Sequence, residues 1–200
     1  MQTLLLLIAA YFIGNLSPAF ILGKVAANID IREYGSGNAG TTNVMRVMGA
    51  KAGVFVLLAD VMKGVAAVWI GRTFGGETIA VLCGFLAVIG HNWPILLKFK
   101  GGKGAATTMG VALMIHAPFA LICIGLAGVI IVLTKYVSLA SIIGIPIWTT
   151  LLWLGGSESS HVLLGTALSI LVLYRHRSNI QRIINGSENR VDIKKKLDRS

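Results

Sequence analysis

The sequence predicts an all-α membrane protein with seven transmembrane helices, its N-terminus outside, its C-terminus cytoplasmic, and some spans short. Composition is the first observation behind this. Apolar residues make up 55% of the 200-residue chain and charged residues only 13%, with a mean hydropathy of +0.78, a membrane rather than a soluble profile. The second is arrangement: polar residues collect at 26–51, 98–104 and 175–200, between apolar segments. The third is charge. Sixteen of the 18 Lys and Arg can share one face, leaving Arg72 on the other and Lys63 inside a span. The positive-inside rule makes the crowded face cytoplasmic. The net charge of +10 therefore reads as basic loops beside anionic lipid. It does not read as nucleic-acid binding, because most aromatics lie in the apolar segments instead of alternating with the basic residues.

The elements follow in order. Residues 3–23 form a first apolar span interrupted by Asn15, Ser17 and Pro18; without a basic leader or clear cleavage site it reads as a retained helix. A polar loop runs from Ala26 to Lys51, then come spans at 53–71 and 78–97. The apolar stretch 105–133 is broken by His116-Ala-Pro118, Lys135 and Tyr136 interrupt again, and 139–154 and 160–174 flank a Gly-rich turn. If the three polar regions share a face, an even number of spans lies between Ala105 and Tyr174. Four short ones satisfy this, giving seven in all; five, with 105–133 as one helix and 139–154 not crossing, is the alternative. At about 1.5 Å per residue, 105–115 is too short for a core of roughly 30 Å unless the preceding glycine turn or a thinner bilayer helps. One domain covers 1–200. Cys83 and Cys123 sit in apolar stretches without metal spacing and read as packed thiols.

Chemistry concentrates in the polar regions. Lys98 to Gly104 holds three lysines and three glycines where a helix can begin. A helix N-terminus offers unpaired N–H groups to an anion, glycine permits close approach, and ammonium groups add charge. A loop serving only topology is the plainer reading, but it would not need three glycines. This is not a Walker A loop, since Gly104 follows Lys103. GSGNAGTTNVMR, Gly35 to Arg46, supplies neutral donors, bendable backbone and one guanidinium fork, or simply a flexible loop with helix caps. Asp60 and Lys63, three apart in a span, can pair on one helix face, as a structural lock or as ligands. Ser138 and Ser141 stand at the start of the sixth span, where capping is favoured over phosphate contact.

Three segments together, GSGNAGTTNVMR, GHNWPILLKFKGGKGAAT and HRSNIQRIINGSE, resemble the signature segments of the bacterial integral-membrane glycerol-3-phosphate acyltransferases, the PlsY family. Departures are mild: Leu96 stands where an aromatic is usual, Ala105 where Val is usual, and Ile183 where Leu is usual. The resemblance implies a seven-helix enzyme of the bacterial cytoplasmic (inner) membrane with its site facing the cytoplasm. It would move an acyl group from acyl-phosphate to the 1-hydroxyl of glycerol 3-phosphate, releasing lysophosphatidic acid and phosphate.

Its expected partners are those two substrates and membrane lipids, with no nucleic acid, cofactor or metal, and a monomeric chain. The implied catalytic set is Lys103, His176, Asn179 and Arg46. The implied phosphate-binding set is Ser36, Asn38, Thr41, Thr42, Asn43, His91, Lys100, Gly101, Gly102, Gly104, Thr107, Ser141, Arg177 and Arg182. An acyl-phosphate is already activated, so no enzyme nucleophile is needed. The sequence agrees: it has no GxSxG elbow and no His-x4-Asp pair. Lys103, Arg46 and the amides of Gly101 and Gly102 are expected to position and neutralise charge. Either His176 or a substrate phosphate takes the hydroxyl proton, with the phosphate favoured. An anion transporter is the rival reading, weakened by the gathering of polar clusters on one face.

Overall fold

The computed structural model describes residues 1–191; the tail lysines Lys194, Lys195 and Lys196, and Arg199, counted above for the basic face, lie outside them. Among the described residues there are helices and no strands: α1 (Gln2–Asn15), α2 (Pro18–Ala27), α3 (Thr41–Met48), α4 (Ala50–Asn92), α5 (Ala105–Thr134), α6 (Val137–Leu154), α7 (Ser159–Arg175) and α8 (Arg177–Ile184). The segment expected as a loop from Ala26 to Lys51 is partly ordered, into a 3-10 turn at Ile31–Glu33 and the amphipathic α3. By length and composition, three helical stretches suit a membrane crossing: Ala50–Leu97, Ala105–Thr134 and Val137–Leu154. A fourth is α1 with α2, bent by 41° at Leu16–Ser17, and α7 is apolar but shorter.

Two of the long helices are broken. In α4 the backbone leaves helical geometry at Gly76 (φ 77°), a left-handed value that glycine adopts without a Cβ clash. Gly71 packs so closely on Ala80 that a Cβ there would strike the Ala80 backbone, and Gly84 faces Val68. The halves 50–75 and 77–92 therefore fold back on each other. In α5 the break falls at His116 (φ −152°, ψ 84°), with Pro118 beyond it. The Phe119 amide donates to His116 Nδ1 at 3.4 Å and the two rings stack at 3.9 Å. The break expected at His116–Pro118 is thus a real corner.

Small residues bring the helices together, as is common where lipid gives apolar side chains no incentive to cluster. Gly14 lies on Ala87, Gly90 on Tyr11, Gly64 on Thr107 and Gly110 on Val61, each too close for a Cβ. These crossings set α1 against 77–92 and 105–115 against 50–75. Gln2 reaches the Phe74 carbonyl, whereas Tyr11 Oη donates to the Trp93 carbonyl and Asn15 Oδ1 accepts from the Leu96 amide. That fixes two ends: a far end near residues 72–77, 116 and 157, and a near end where the polar segments converge. Trp148, Leu152, Leu168, Val88, Val111 and Ile115 form the main core between them.

Candidate active site

The near end is assembled by interlocking side chains. Asn43, in the first turn of α3, is buried and fully engaged: its amide donates to the Ile31 and Tyr34 carbonyls at 3.0 Å, and its Oδ1 accepts from the Ser36 amide at 2.7 Å and hydroxyl at 3.2 Å. Asn43 therefore shapes the 35–43 loop. Ser36, Asn38, Thr41 and Thr42 stand beside it on the cavity wall, with Thr41 Oγ1 buried and without a partner among the described residues.

The lysine–glycine segment is held by two clamps. Arg175 donates to the Gly102 carbonyl at 2.6 Å and reaches that of Gly101 at 3.5 Å, with its guanidinium over Trp93. From the other side the Gly102 amide donates to the His91 carbonyl at 3.1 Å, and a Cβ on Gly102 would run into the His91 ring. This corrects the expectation that the Gly102 N–H faces an anion: it is occupied by His91. Glycine at 102 is needed for close packing on a histidine. Lys100 is exposed and off the cavity, whereas Lys103 and Gly104 line it.

Beneath the segment lies a buried cluster. Lys63 Nζ is 2.8 Å from Asp60 Oδ1 and 2.8 Å from His91 Nδ1, and it donates to the Leu16 carbonyl at 2.7 Å and the Gly14 carbonyl at 3.2 Å. The two carbonyls belong to the end of α1, whose last acceptors have no helical partner. Lys63 thus ties α1 to α4. Of the three charged or titratable members, Asp60 and His91 also border the cavity, while Lys63 does not.

Beyond α7 the chain turns through His176 and Asn179 and folds back at 185–191. Asn179 Oδ1 accepts from Lys103 Nζ, and its amide donates to Glu188 Oε1 at 2.6 Å. Glu188 also accepts from Ser138 Oγ and Arg182 Nε, both at 2.8 Å. Burial alone would push the Glu188 carboxyl up, but the bonds from Asn179, Ser138 and Arg182 outweigh it and hold it below its ordinary value. Lys103 is lowered to about 8, chiefly by burial and then by the neighbouring Arg182. Its hydrogen-bond partner is a neutral amide, and the nearest carboxylate, Glu188, stands one side chain further off, beyond Asn179.

His176 is buried, and its Nδ1 donates to the Val172 carbonyl at 2.9 Å, leaving Nε2 as an acceptor. Burial first, and then the Lys103 charge, lower it to about 4. It is neutral at physiological pH.

These residues meet at a cavity of about 350 Å³. Arg46, Lys103, His176, Asn179 and Arg182 border its polar mouth together with Thr41, Thr42 and Ser141. Its apolar depth runs between α5 and α6, past Ile131, Ala127, Ile124, Cys123 and Ala120 on one side and Ala140, Gly144, Ile145 and Trp148 on the other. Not every expected residue joins. Arg177 stacks on Tyr174 and is exposed, and Thr107 packs under Gly64 instead. Sequence reasoning missed Thr108, which lines the cavity with a buried Oγ1 that has no partner among the described residues, and it gave no role to Glu188, the last residue of the third signature segment and the hub of the Asn179–Arg182 network. A full turn count on α5 would have favoured Thr108 over Thr107; nothing local in the sequence marked Glu188 as buried. Ser138 and Ser141 do not cap α6, whose first turn has no side-chain cap. Ser138 serves Glu188, and Ser141 Oγ bonds the Val137 carbonyl at 3.2 Å.

Comparison with known proteins gives a consistent result. The family model for glycerol-3-phosphate acyltransferase matches residues 4–186. A glycerol-3-phosphate acyltransferase of Alkaliphilus metalliredigens is 48% identical over 191 residues, covering 96% of this chain and 97% of that one. One from Bacillus subtilis is 43% identical over 188 residues, covering 94% and 96%. Among solved structures, the glycerol 3-phosphate form of PlsY (YgiH), an integral membrane glycerol 3-phosphate acyltransferase, superposes with a TM-score of 0.92 at 34% identity, covering 96% of each chain. Its lysophosphatidic acid form gives 0.89 at 33% identity, covering 96% and 97%. With matching sequence along nearly its whole length and the same helical fold, the chain belongs to the glycerol-3-phosphate acyltransferase family of integral membrane proteins.

Proposed function

We propose that this protein acylates glycerol 3-phosphate from an acyl-phosphate donor, by direct transfer and without an acyl-enzyme. The carrying observation is a cavity in which a cationic mouth joins an apolar channel. One substrate brings a phosphate alone, the other a phosphate and a fatty chain; the mouth suits the anions and the channel suits the chain. The acceptor hydroxyl adds to the acyl carbon, the anhydride C–O bond breaks, and inorganic phosphate leaves with the electron pair. Lys103, Arg46 and Arg182 stabilise the charge that develops on the phosphates. His176 Nε2 accepts a hydrogen bond from the hydroxyl and aligns it. A histidine lowered to about 4 is a weak base, so the proton passes to a substrate phosphate. Neither step calls for a metal or cofactor.

The same reading gives seven crossings, with N-terminus outside and the site on the cytoplasmic side of a bacterial inner membrane, in a monomer. Supporting the count of crossings are the reversals at Gly76 and His116 and the meeting of Lys135 with Val191 at the near end, where the Val191 amide donates to the Lys135 carbonyl at 2.9 Å. Single cysteines on a Cys83/Cys123-free background test the orientation. Positions 178 and 136 are expected to label from the cytoplasm and 157 from outside; labelling of 136 from outside restores five spans.

The function is tested with purified protein in detergent, given acyl-phosphate and glycerol 3-phosphate. Release of phosphate with formation of lysophosphatidic acid is expected. An anion transporter would turn over nothing without a sealed compartment, and its site would lie near mid-membrane instead of at one end.

A further inference from the structure

The buried helical glycines of this protein divide into two kinds. Gly14, Gly64, Gly84, Gly90 and Gly110 sit where a Cβ would collide with a neighbouring helix, so their absent side chains serve packing. Gly144 is buried and lines the cavity, yet a Cβ there would meet only the Cys123 carbonyl, at 3.8 Å, an ordinary contact. Helix packing does not require glycine at 144. The space in front of it is the channel.

Its neighbours along α6 give that space a direction. Ser141, Gly144, Ile145 and Trp148 recur at helical spacing on one face and all border the cavity. Ser141 is level with the polar mouth. Trp148 lies about 10 Å deeper, seven residues along at roughly 1.5 Å each. There the lining stops on every wall: no residue beyond Ala112 on 105–115, before Ala120 on 117–134, or beyond Trp148 on α6 borders the channel. Trp148 is 2% exposed, and its indole N–H, buried at the channel wall, has no acceptor among the described residues.

Resting on the acyltransferase reading above, we propose that Gly144 and Trp148 set the acyl-chain length this enzyme accepts, Gly144 by leaving the channel open at mid-depth and Trp148 by forming its floor. A side chain at 144 would fill the passage before the chain reaches Trp148. A smaller residue at 148 would lower the floor.

The test measures kcat/KM for butyryl-, octanoyl-, lauroyl- and palmitoyl-phosphate at saturating glycerol 3-phosphate, on detergent-purified protein that elutes as a single folded species. In Gly144→Leu the lauroyl-to-butyryl ratio is expected to fall about tenfold or more, in line with the discrimination that a few misplaced methylenes impose. Gly144→Ala should fall between it and the native protein. Trp148→Ala is expected to move the ratio the other way, towards the longer chains, while Trp148→Phe keeps the native preference. KM for glycerol 3-phosphate should be unchanged in all four. Equal losses across chain lengths, or an unchanged ratio in both Gly144→Leu and Trp148→Ala, overturn the assignment alone. A native protein silent with every acyl-phosphate overturns the parent reading, and the channel assignment with it. Because the two positions push the ratio in opposite directions, loss of folding in one variant leaves the other as a full test.

Discussion

Two clusters in this protein have the same ingredients, an acid, a base and a histidine, and opposite circumstances. At the far end, Arg72 grips Glu77 with two bonds of 2.7 and 2.8 Å, caps the Met114 carbonyl just before the α5 corner, and Glu77 meets His161 at 2.8 Å. The Arg72 and Glu77 side chains keep about a third of their surface exposed, 36% and 33%. Beneath the near end, Asp60, Lys63 and His91 form the second cluster with 2% and 5% of the Asp60 and Lys63 side chains exposed. The far cluster is a closed account of charge in reach of water. The near cluster holds its charge out of water, and its cation is satisfied largely by the backbone of another helix. Exposed pairs contribute little, whereas removing one member of a buried pair leaves an uncompensated charge.

The sharpest way to break this comparison is Lys63→Met. It strands Asp60 and frees the carbonyls of Gly14 and Leu16, and the expected loss is about 3–5 kcal/mol. Thermal unfolding in detergent should show it as a large drop in midpoint, with activity lost alongside the fold. A variant as stable as the native protein would mean that α1 does not depend on this tie.

Lys103 sharpens the contrast from another side, because its hydrogen-bond partner is an amide and not a carboxylate. Lys103→Ala is expected to lower turnover about 10²–10³-fold, the cost of one preorganised charge or donor, with the unfolding midpoint kept. The sign of its pH effect follows from a value lowered to about 8. The ammonium is present below that pH and is lost above it, so kcat/KM for glycerol 3-phosphate should decline as pH rises past about 8. Lys103→Arg, which stays charged, should remove that alkaline decline even if its turnover is lower. An alkaline limb unchanged in Lys103→Arg would assign it to another group.

His176 makes a smaller and more diagnostic difference. Its Nδ1 is committed to Val172 and its acidity set near 4, while a phosphate monoester loses its second proton near about 6. The two candidate proton acceptors are thus well separated in pH, which the reference value for histidine, about 6.5, would not have allowed. We expect the acid limb of kcat/KM near 6 in the native protein and in His176→Gln alike. Gln keeps an acceptor for the substrate hydroxyl and should retain well over the activity of His176→Ala. A limb near 4, with equal deep losses of about 10²–10⁴-fold in both variants, would make His176 the base.

Much of this was legible in the sequence, and the residues that were not share a reason. The corner at His116, the pairing of Asp60 with Lys63 and the convergence of three polar segments follow from spacing, hydropathy and charge. His91 as the third member of the Asp60 cluster does not, since 28 residues and a helix reversal separate it from Lys63. Gly102 looked like an anion cradle because glycine serves close approach of any kind; only the fold shows that the approaching group is His91. The sequence puts Arg177 and not Arg175 in the phosphate set, yet Arg175 clamps the lysine–glycine segment and Arg177 stacks outside on Tyr174. Glu188 ends the third signature segment, but its burial was not legible there because it depends on the chain turning back after α8. Local pattern names the chemistry present; which side of an element faces which neighbour is decided by contacts distant in sequence.

The smallest expected effect closes the comparison at the far end. Glu77→Gln keeps the shape of the side chain and one acceptor for Arg72 or His161, and it deletes only the charge. The site is about a third exposed, so water screens what remains of Arg72, and a pair of this kind is worth about 0–1 kcal/mol. Turnover should stay near native, because nothing at that end borders the cavity. The unfolding midpoint should shift by a few degrees at most, and added salt should shrink the shift further. The informative result would be a large one. If Glu77→Gln lowered kcat while leaving the midpoint in place, the bond from Arg72 to the Met114 carbonyl would be the route, since Ala112 on the same turn lines the channel. A loss confined to stability would instead show that the outer cluster is as costly to disturb as the buried one, and the distinction between the two would fall.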